Sequence, residues 1–155
     1  MKKQSRTVRE LLEAKKIAGV LAVKPDDTVL AALKLMAERD IGAVIVMQGE
    51  RLAGIFSERD YARKVELRSK TASGTKVREV MTEKVLCANL EHTVDQCLTL
   101  MQEKRIRHLP VVDGEKVIGV LSARDVQAEY IAEGEQLIQD LTKERLYFTE
   151  TGGNY

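Results

Sequence analysis

Aromatic residues, cysteines and long apolar runs are scarce in this sequence, and each scarcity excludes something. Aromatic residues make up 4% of the chain and tryptophan is absent, so the core must be aliphatic, which the 44% hydrophobic content allows. The two cysteines form no C-x-x-C pair and cannot build a dense disulfide framework. No apolar run is long enough for a membrane span or a signal peptide. We therefore expect a cytoplasmic protein with reduced thiols and no membrane partner.

The chain also lacks an excess of charge of either sign. Its 25 basic and 24 acidic residues leave a net charge of +1. This balance gives no general attraction to nucleic acid, so we expect no nucleic-acid partner and only local anion sites. The common catalytic signatures G-x-S-x-G, H-E-x-x-H and the Walker loop are missing as well. Binding is therefore favoured over catalysis.

What the sequence does contain is an internal repeat. Shifted by 65 residues, the chain matches itself at 14 of the 38 positions from Val23 to Asp60 without a gap. Upstream the offset becomes 69, so the first repeat carries about four extra residues, Lys16 to Gly19. We predict a first repeat with an N-terminal helix over residues 1–68, a linker over 69–76, a second repeat over 77–133, a C-terminal helix over 134–148 and a tail over 149–155.

Each repeat predicts the element order β-α-β-β-α. Short strands are expected at Val20–Val23 and Val85–Cys87, and helix starts are supplied by Asp26-Asp27-Thr28 and Glu91-His92-Thr93. Two further strands follow around a glycine turn, and a helix closes each unit. One unit of about 60 residues buries too little surface to be stable alone. The predicted fold class is α+β, with two such units packed in pseudo-two-fold fashion through their sheets and an added C-terminal helix.

The most informative short pattern is Ser-x-x-Asp, which occurs once in each repeat as Ser57-x-x-Asp60 and Ser122-x-x-Asp125. It has two interpretations. As structure, it is nearly a capping box, but the third position is usually Glu or Gln, and aspartate is one methylene short of the cap N–H. As a ligand site, it places a hydroxyl and a carboxylate beside the free N–H groups of a helix start.

Arginine strengthens the ligand interpretation, because Arg59 and Arg124 stand inside the two patterns. A guanidinium suits phosphate oxygens, and a short carboxylate can accept hydrogen bonds from both hydroxyls of a ribose. Together these groups match a nucleotide. The residues alone leave the cap and the nucleotide site about equally supported.

A metal or redox site is the third possibility. Cys87, His92 and Cys97 could be imagined as ligands. However, the repeat places Ala22 and Ala32 at the two cysteine positions, which favours small core residues instead.

The repeated pattern resembles a tandem pair of CBS domains (cystathionine β-synthase domains), also called a Bateman module. The resemblance covers about residues 8–131. The features that carry it are Met81-Thr82, Arg107-His108-Leu109-Pro110-Val111-Val112, Gly119-Val120-Leu121-Ser122 and Asp125 in the second repeat, and Gly42-Ala43-Val44-Ile45-Val46, Gly54-Ile55-Phe56-Ser57 and Asp60 in the first.

The resemblance implies a regulatory binding module of stand-alone bacterial type rather than an enzyme. Such pairs bind adenosine-containing ligands in clefts between the repeats; AMP is the first expectation, with NAD(H), ADP, ATP or S-adenosylmethionine as alternatives and no catalytic cofactor. Similar modules pair as homodimers, so the regulated target would be the dimer itself or another protein. The family's ribose-binding acid falls on Asp60 and Asp125, and its hydroxyl on Ser57 and Ser122.

The implied sites form two sets. The first cleft would use Val20, Gly42, Ala43, Val44, Ile45, Ile55, Ser57, Arg59 and Asp60. The second would use Met81, Thr82, Val85, Arg107, His108, Leu109, Pro110, Val120, Ser122, Arg124 and Asp125.

The first repeat departs from the family pattern, because Gly42 and Ala43 stand where the second has Arg107 and His108. We hypothesise that the second cleft prefers a compact nucleotide such as AMP and that the first leaves room for a longer ligand such as NAD. The first cleft being weaker or empty is an equal alternative. A structural dimerisation module with degenerate, unoccupied clefts is the competing function.

Overall fold

The computed structural model describes the backbone of residues 4–15 and 20–143, and the side chains of residues 4–14 and 20–136. The inserted residues 16–19, the end of the predicted C-terminal helix and the tail 149–155 therefore lie outside the described residues. The helices and strands, in chain order, are α1 (Val8–Lys15), β1 (Ala22–Val23), α2 (Val29–Arg39), β2 (Ala43–Gln48), β3 (Arg51–Ser57), α3 (Glu58–Lys64), α4 (Val77–Val80), β4 (Ala88–Asn89), α5 (Val94–Lys104), β5 (His108–Asp113), β6 (Lys116–Ser122) and α6 (Ala123–Lys143).

Local sequence signals set these boundaries in the same way in both repeats. The Thr28 hydroxyl accepts a hydrogen bond from the Ala31 N–H at the start of α2, and Thr93 caps α5 in the same manner. Gly49 and Gly114 have φ near +62° in the turns between the paired strands. Glycine adopts this left-handed conformation without a steric penalty.

Each repeat forms its own three-stranded sheet, in the orders β1-β2-β3 and β4-β5-β6. In both sheets the first strand runs parallel to the second, and the second pairs antiparallel with the third. The register shifts at equivalent points, between Val46 and Met47 and between Val111 and Val112. The α+β fold with two β-α-β-β-α units is thus confirmed.

The strand predicted at Val85–Cys87 is wrong, since the pairing begins only at Ala88. Proline explains the shift. In the first repeat the Ile45 N–H donates to the Leu21 carbonyl (3.4 Å), which starts the strand pair early. The equivalent of Ile45 is Pro110, which has no N–H to donate.

The two repeats exchange the helices that precede them. Val8 and Leu11 of α1 are fully buried in the hydrophobic core of the second repeat, whereas Val77 and Val80 of α4 are buried in the core of the first. The backbone contacts are equivalent: the Val8 N–H donates to the His92 carbonyl (2.8 Å), and the Val77 N–H donates to the Asp27 carbonyl (2.9 Å). Each repeat is therefore completed by a segment that lies next to the other in sequence.

The predicted C-terminal helix is present, and it is continuous with the last helix of the second repeat. The single helix α6 spans Ala123–Lys143. Among the described residues, no helix combines the length and the apolar character needed to cross a membrane.

Candidate functional site

The Ser57-x-x-Asp60 pattern forms a complete capping box at the start of α3. The Ser57 hydroxyl accepts a hydrogen bond from the Asp60 N–H (3.2 Å), and Asp60 Oδ2 accepts one from the Ser57 N–H (3.0 Å) and one from the Ser57 hydroxyl (3.1 Å). The expectation that aspartate is too short to close the box is wrong. The extended backbone of Ser57 (φ −123°, ψ 164°) turns its N–H toward the carboxylate, so that the shorter side chain reaches it.

The second repeat has the same box at the start of α6. The Ser122 hydroxyl accepts from the Asp125 N–H (3.1 Å), and Asp125 Oδ2 accepts from the Ser122 hydroxyl (2.8 Å) and N–H (3.3 Å). Capping and ligand binding are compatible here, because the cap fixes the direction in which each hydroxyl and carboxylate point. Both aspartates are half-buried rather than sealed in a core.

The next turn of the helix differs between the repeats. Lys64 Nζ lies 3.0 Å from Asp60 Oδ1, so both carboxylate oxygens of Asp60 have partners, and Lys64 also donates to the Val80 carbonyl (3.1 Å). The position equivalent to Lys64 is Glu129, which pairs instead with Arg6 (3.3 Å). A ligand hydroxyl would therefore compete with an ammonium group at Asp60, and Asp125 has no lysine at that position.

His108 lies where the two repeats meet. A Cβ atom added to Gly42 would come within 3.5 Å of the His108 Nε2 atom, so the first residues of β5 and the turn before β2 face each other. Burial lowers the pKa of the His108 imidazole, and the nearby guanidiniums of Arg107 and Arg59 lower it further, while the carboxylates of Asp125 and Asp60 oppose the shift. Charged residues of both predicted clefts thus influence one imidazole.

The two arginines of the Ser-x-x-Asp patterns are placed differently. Arg59 is half-buried, and its Nη1 atom donates to the Arg105 carbonyl of the second repeat (3.1 Å). Arg124 is exposed. Arg59 therefore links the repeats, which the sequence pattern did not indicate.

The predicted apolar walls divide into two groups by burial. The side chains of Val44 and Leu109 pack in the hydrophobic cores of their repeats. Ala43, Ile45 and Pro110 are also buried. The side chains left half-buried, and hence open to a ligand, are Val20, Ile55, Val85 and Val120.

Met81 and Thr82, which were predicted for the second cleft, lie against the first repeat. Thr82 and Ile55 form two backbone hydrogen bonds (2.9 and 3.0 Å), so the segment after α4 adds to the edge of β3. Gly54 allows this approach, because a Cβ atom there would lie 2.7 Å from the Thr82 carbonyl oxygen. The two predicted sets of site residues are therefore adjacent at this edge.

The residues considered for a metal or redox site have structural surroundings. The His92 Nδ1 atom accepts the Asn89 N–H (2.9 Å), and Cys97 is buried on α5. Burial raises the pKa of the Cys97 thiol to about 11 and also raises that of Cys87, which disfavours the reactive thiolate form. Within the described part of the chain, no three His, Cys, Asp or Glu side chains are grouped closely enough to hold a metal ion.

Three residues near the site were missed by sequence reasoning. Lys64 had a detectable signal, because a basic residue four positions after an acid commonly pairs with it on a helix. Arg63 and Arg105 line a groove between the repeats. Arg105 ends α5 with φ of 54°, a position usually given to glycine or asparagine, but the groove itself depends on how the repeats pack.

Comparison with known proteins agrees with this architecture. The family model for the CBS domain matches residues 8–67 and 77–131. One similar solved structure is a protein with CBS domains from Burkholderia ambifaria MC40-6, described as a candidate signal-transduction protein. The match covers 94% of this chain and 100% of that protein's chain, with 40% sequence identity and a TM-score of 0.79.

Two curated relatives are longer. The mitochondrial CBS domain-containing protein CBSX3 of Arabidopsis thaliana is 39% identical over 75% of this chain and 59% of its own length. Inosine-5'-monophosphate dehydrogenase of Methanocaldococcus jannaschii is 37% identical over 71% of this chain but only 21% of the enzyme. This chain therefore spans less than two thirds of either protein.

Proposed function

The chain belongs to the CBS-domain family, whose paired domains are regulatory modules, and from that premise we propose that it binds an adenosine nucleotide and reports its level to another protein or through its own homodimer. The observation that carries the proposal is the doubled Ser-x-x-Asp box, with equivalent hydrogen bonds at two helix starts whose aspartates both act on the charge of His108. The homodimer, the cytoplasmic location and the absence of catalysis are parts of the same proposal.

Each group in a box has a role toward a nucleotide. The carboxylates of Asp60 and Asp125 accept hydrogen bonds from ribose hydroxyls, and the helix starts and neighbouring arginines attract phosphate. The half-buried side chains of Val20, Ile55, Val85 and Val120 offer apolar surface to the base. AMP needs one set of these groups, and NAD, ADP, ATP or S-adenosylmethionine needs further contacts.

The second cleft is proposed as the tighter AMP site. It has Arg107 and His108 nearby, and the residue one turn after its aspartate is Glu129, where the first repeat has Lys64. In the first cleft Lys64 holds Asp60, so a ligand must displace this ammonium or use it as a phosphate contact. The first cleft therefore favours a longer ligand or weaker binding.

Signalling would occur by a shift between two arrangements of the repeats. A ligand that contacts groups from both repeats binds one arrangement more tightly and thereby increases its population. The Arg59–Arg105 bond and the exchanged helices α1 and α4 are the contacts between repeats that such a shift would alter. The segment that resembles this chain in inosine-5'-monophosphate dehydrogenase is part of an enzyme. This is consistent with an enzyme as the regulated target.

Thermal denaturation with AMP, ADP, ATP, NAD, NADH and S-adenosylmethionine tests the proposal. A ligand at a hundred times its dissociation constant stabilises the protein by about 2.7 kcal/mol. Asp125→Ala should abolish the rise in melting temperature caused by AMP, and Asp60→Ala should abolish the rise caused by the ligand of the first cleft. Each variant is compared with its own melting temperature without ligand. Asp113→Ala, at the exposed last residue of β5, is the matched control. If none of these ligands raises the melting temperature, the nucleotide-binding proposal is wrong and the structural dimerisation module becomes the favoured alternative.

A further inference from the structure

Two equivalent segments of the repeats carry opposite charges. Shifted by 65 residues, residues 64–70 at the end of α3 match residues 129–135 within α6, and the sign of the charge reverses at three of the seven positions. These positions are Lys64 and Glu129, Arg68 and Glu133, and Lys70 and Glu135. Residues 64–70, the basic segment, contain one acid, Glu66, and residues 129–135, the acidic segment, contain no base. A chain with a net charge of only +1 thus has two local surfaces of opposite sign.

Both segments also expose large apolar side chains. Leu67 of the basic segment is 78% exposed, and Tyr130 and Ile131 of the acidic segment are 51% and 58% exposed. They are three of the five large hydrophobic side chains that the described residues expose. A single exposed leucine is normal on a protein surface, but large apolar side chains grouped within charged surroundings mark a contact surface.

Each segment is held in place at its first residue. Lys64 pairs with Asp60 (3.0 Å), and Glu129 pairs with Arg6 (3.3 Å). The basic segment then forms a short 3₁₀ turn that ends at Ser69 in the left-handed conformation, whereas the acidic segment continues as part of α6. The exposed side chains therefore stand on ordered backbone, which reduces the entropy lost when a partner binds them.

Beyond these first residues the charges are not neutralised. Among the described residues, the exposed side chains of Arg68, Lys70 and Glu135 have no ion-pair partner. Glu133 accepts a hydrogen bond from the Arg6 N–H (2.9 Å), a neutral donor that leaves the charge of the carboxylate in place. Each segment therefore attracts a surface of the opposite sign.

Charge indicates how a second copy would fit. Two acidic segments placed against each other would repel, and so would two basic segments. The basic segment of one copy against the acidic segment of another is attractive, and it brings exposed apolar side chains together. Because the segments occupy equivalent points of the two repeats, a two-fold axis between the copies forms this contact twice.

We propose that two copies pair head to tail, with the acidic segment of each copy packed on the basic segment of the other. The inference rests on the homodimer of the proposed function, and it assigns the orientation of that homodimer. Leu67 then packs against the partner's Tyr130 and Ile131, and Arg68 and Lys70 face carboxylates of the partner. Salt should weaken the dimer, because the charges on its rim are exposed to solvent.

Cross-linking with a short bismaleimide tests the orientation. Leu67→Cys and Ile131→Cys are made in separate chains that carry different tags. The mixture should give a covalent dimer that contains one chain of each kind, and neither variant alone should exceed the background of the unaltered protein, in which Cys97 is buried and Cys87 is half-buried. Covalent dimers from each variant alone would show that like segments meet, and the proposal would be wrong.

Charge reversal tests the contact itself. Arg68→Glu/Lys70→Glu should raise the dissociation constant of the dimer at least about tenfold, because the attraction becomes repulsion and the contact occurs twice. Added salt should then strengthen this variant's pairing instead of weakening it. Arg39→Glu/Arg51→Glu makes the same change of net charge at exposed positions outside both segments and is the matched control. Sedimentation equilibrium measures each constant, and equal constants in the two double variants would overturn the proposal.

These readouts need no nucleotide, so they separate the orientation from nucleotide binding. If AMP raises the melting temperature but the unaltered protein has the mass of a monomer, the head-to-tail dimer is wrong and the binding function stands. Phosphatidylglycerol vesicles test another occupant of the basic segment. Sedimentation of a monomer with these vesicles, lost in Arg68→Glu/Lys70→Glu, would make the segment a membrane contact and would also overturn the dimer.

Discussion

The two repeats keep the same capping box but surround it with different charges. Ser57 and Asp60 repeat as Ser122 and Asp125 with nearly the same hydrogen bonds. By contrast, Lys64 becomes Glu129 one turn later. The backbone and cap have been retained while the charges have diverged, which is the pattern expected when one scaffold carries two sites of different affinity.

The repeats also differ in the contacts that α1 and the segment after α4 make with the two sheets. The segment after α4 pairs with β3 through Thr82 and Ile55. On the other side, the closest contact among the described residues of a Cβ atom added at Gly119 is the flexible Leu12 side chain, at 3.6 Å. In the part of the chain that the structure describes, β3 is thus covered by backbone hydrogen bonds, whereas Gly119 of β6 faces a side chain of α1.

The largest expected effect comes from breaking the helix exchange. Leu11→Ala should lower the free energy of unfolding by about 2–5 kcal/mol, because it empties a fully buried position in the core of the second repeat. Val80→Ala, at the equivalent position of α4, should give a smaller loss, because fewer carbon atoms are removed, and it should act on the first repeat.

Native-state hydrogen exchange locates each loss. Leu11→Ala should speed exchange in β4–β6 more than in β1–β3, and Val80→Ala should do the reverse. Equal effects of Leu11→Ala on both sheets would show that α1 supports the molecule as a whole and not the second repeat in particular.

A second pair of substitutions tests the difference between the sheet edges. Gly54→Ala should destabilise the protein by about 1–3 kcal/mol, because its Cβ atom would lie 2.7 Å from the Thr82 carbonyl oxygen and 2.9 Å from the Met81 sulfur. Among the described residues, the Cβ atom of Gly119→Ala would make an ordinary 3.6 Å contact with Leu12, and this substitution should change stability little. Urea denaturation measures both, and equal losses would mean that the Thr82 segment yields to the added methyl group.

The sequence predicted the parts that local chemistry determines. The helix starts at Thr28 and Thr93 and the glycine turns depend on residues a few positions apart, and all of them are present in the structure. Two local errors have local causes: proline at position 110 delayed a strand, and the extended backbone of Ser57 allowed aspartate to close the box.

What sequence reasoning could not supply is long-range. The exchange of α1 and α4 brings together residues that are far apart along the chain, such as Val8 and His92. The sequence of α1 or α4 alone does not indicate which repeat it packs against. The groove lined by Arg63 and Arg105 is similar, because Arg63 on an isolated helix is indistinguishable from a solvated surface residue. Its surroundings follow only from the packing of one repeat on the other.

The smallest expected effect concerns His108, which has Ala43 as its counterpart in the first repeat. Burial and the guanidiniums of Arg107 and Arg59 lower its pKa in the folded protein below the ordinary value of about 6.5. Between these two pKa values the unfolded chain binds more protons than the folded one. Stability should therefore be highest above about pH 6.5 and fall as the pH decreases through the lowered pKa.

His108→Gln should remove this component and flatten the decline in unfolding free energy between about pH 7 and 5. His92, the other histidine in the sequence, is present in both proteins, so its contribution cancels in the comparison. Bound nucleotide should reverse the sign, because a phosphate beside His108 stabilises the protonated imidazole. AMP should then bind the unaltered protein more tightly, relative to His108→Gln, as the pH falls. An equal pH dependence of AMP affinity in the two proteins would place the phosphate away from His108 and leave the second cleft without its distinguishing contact.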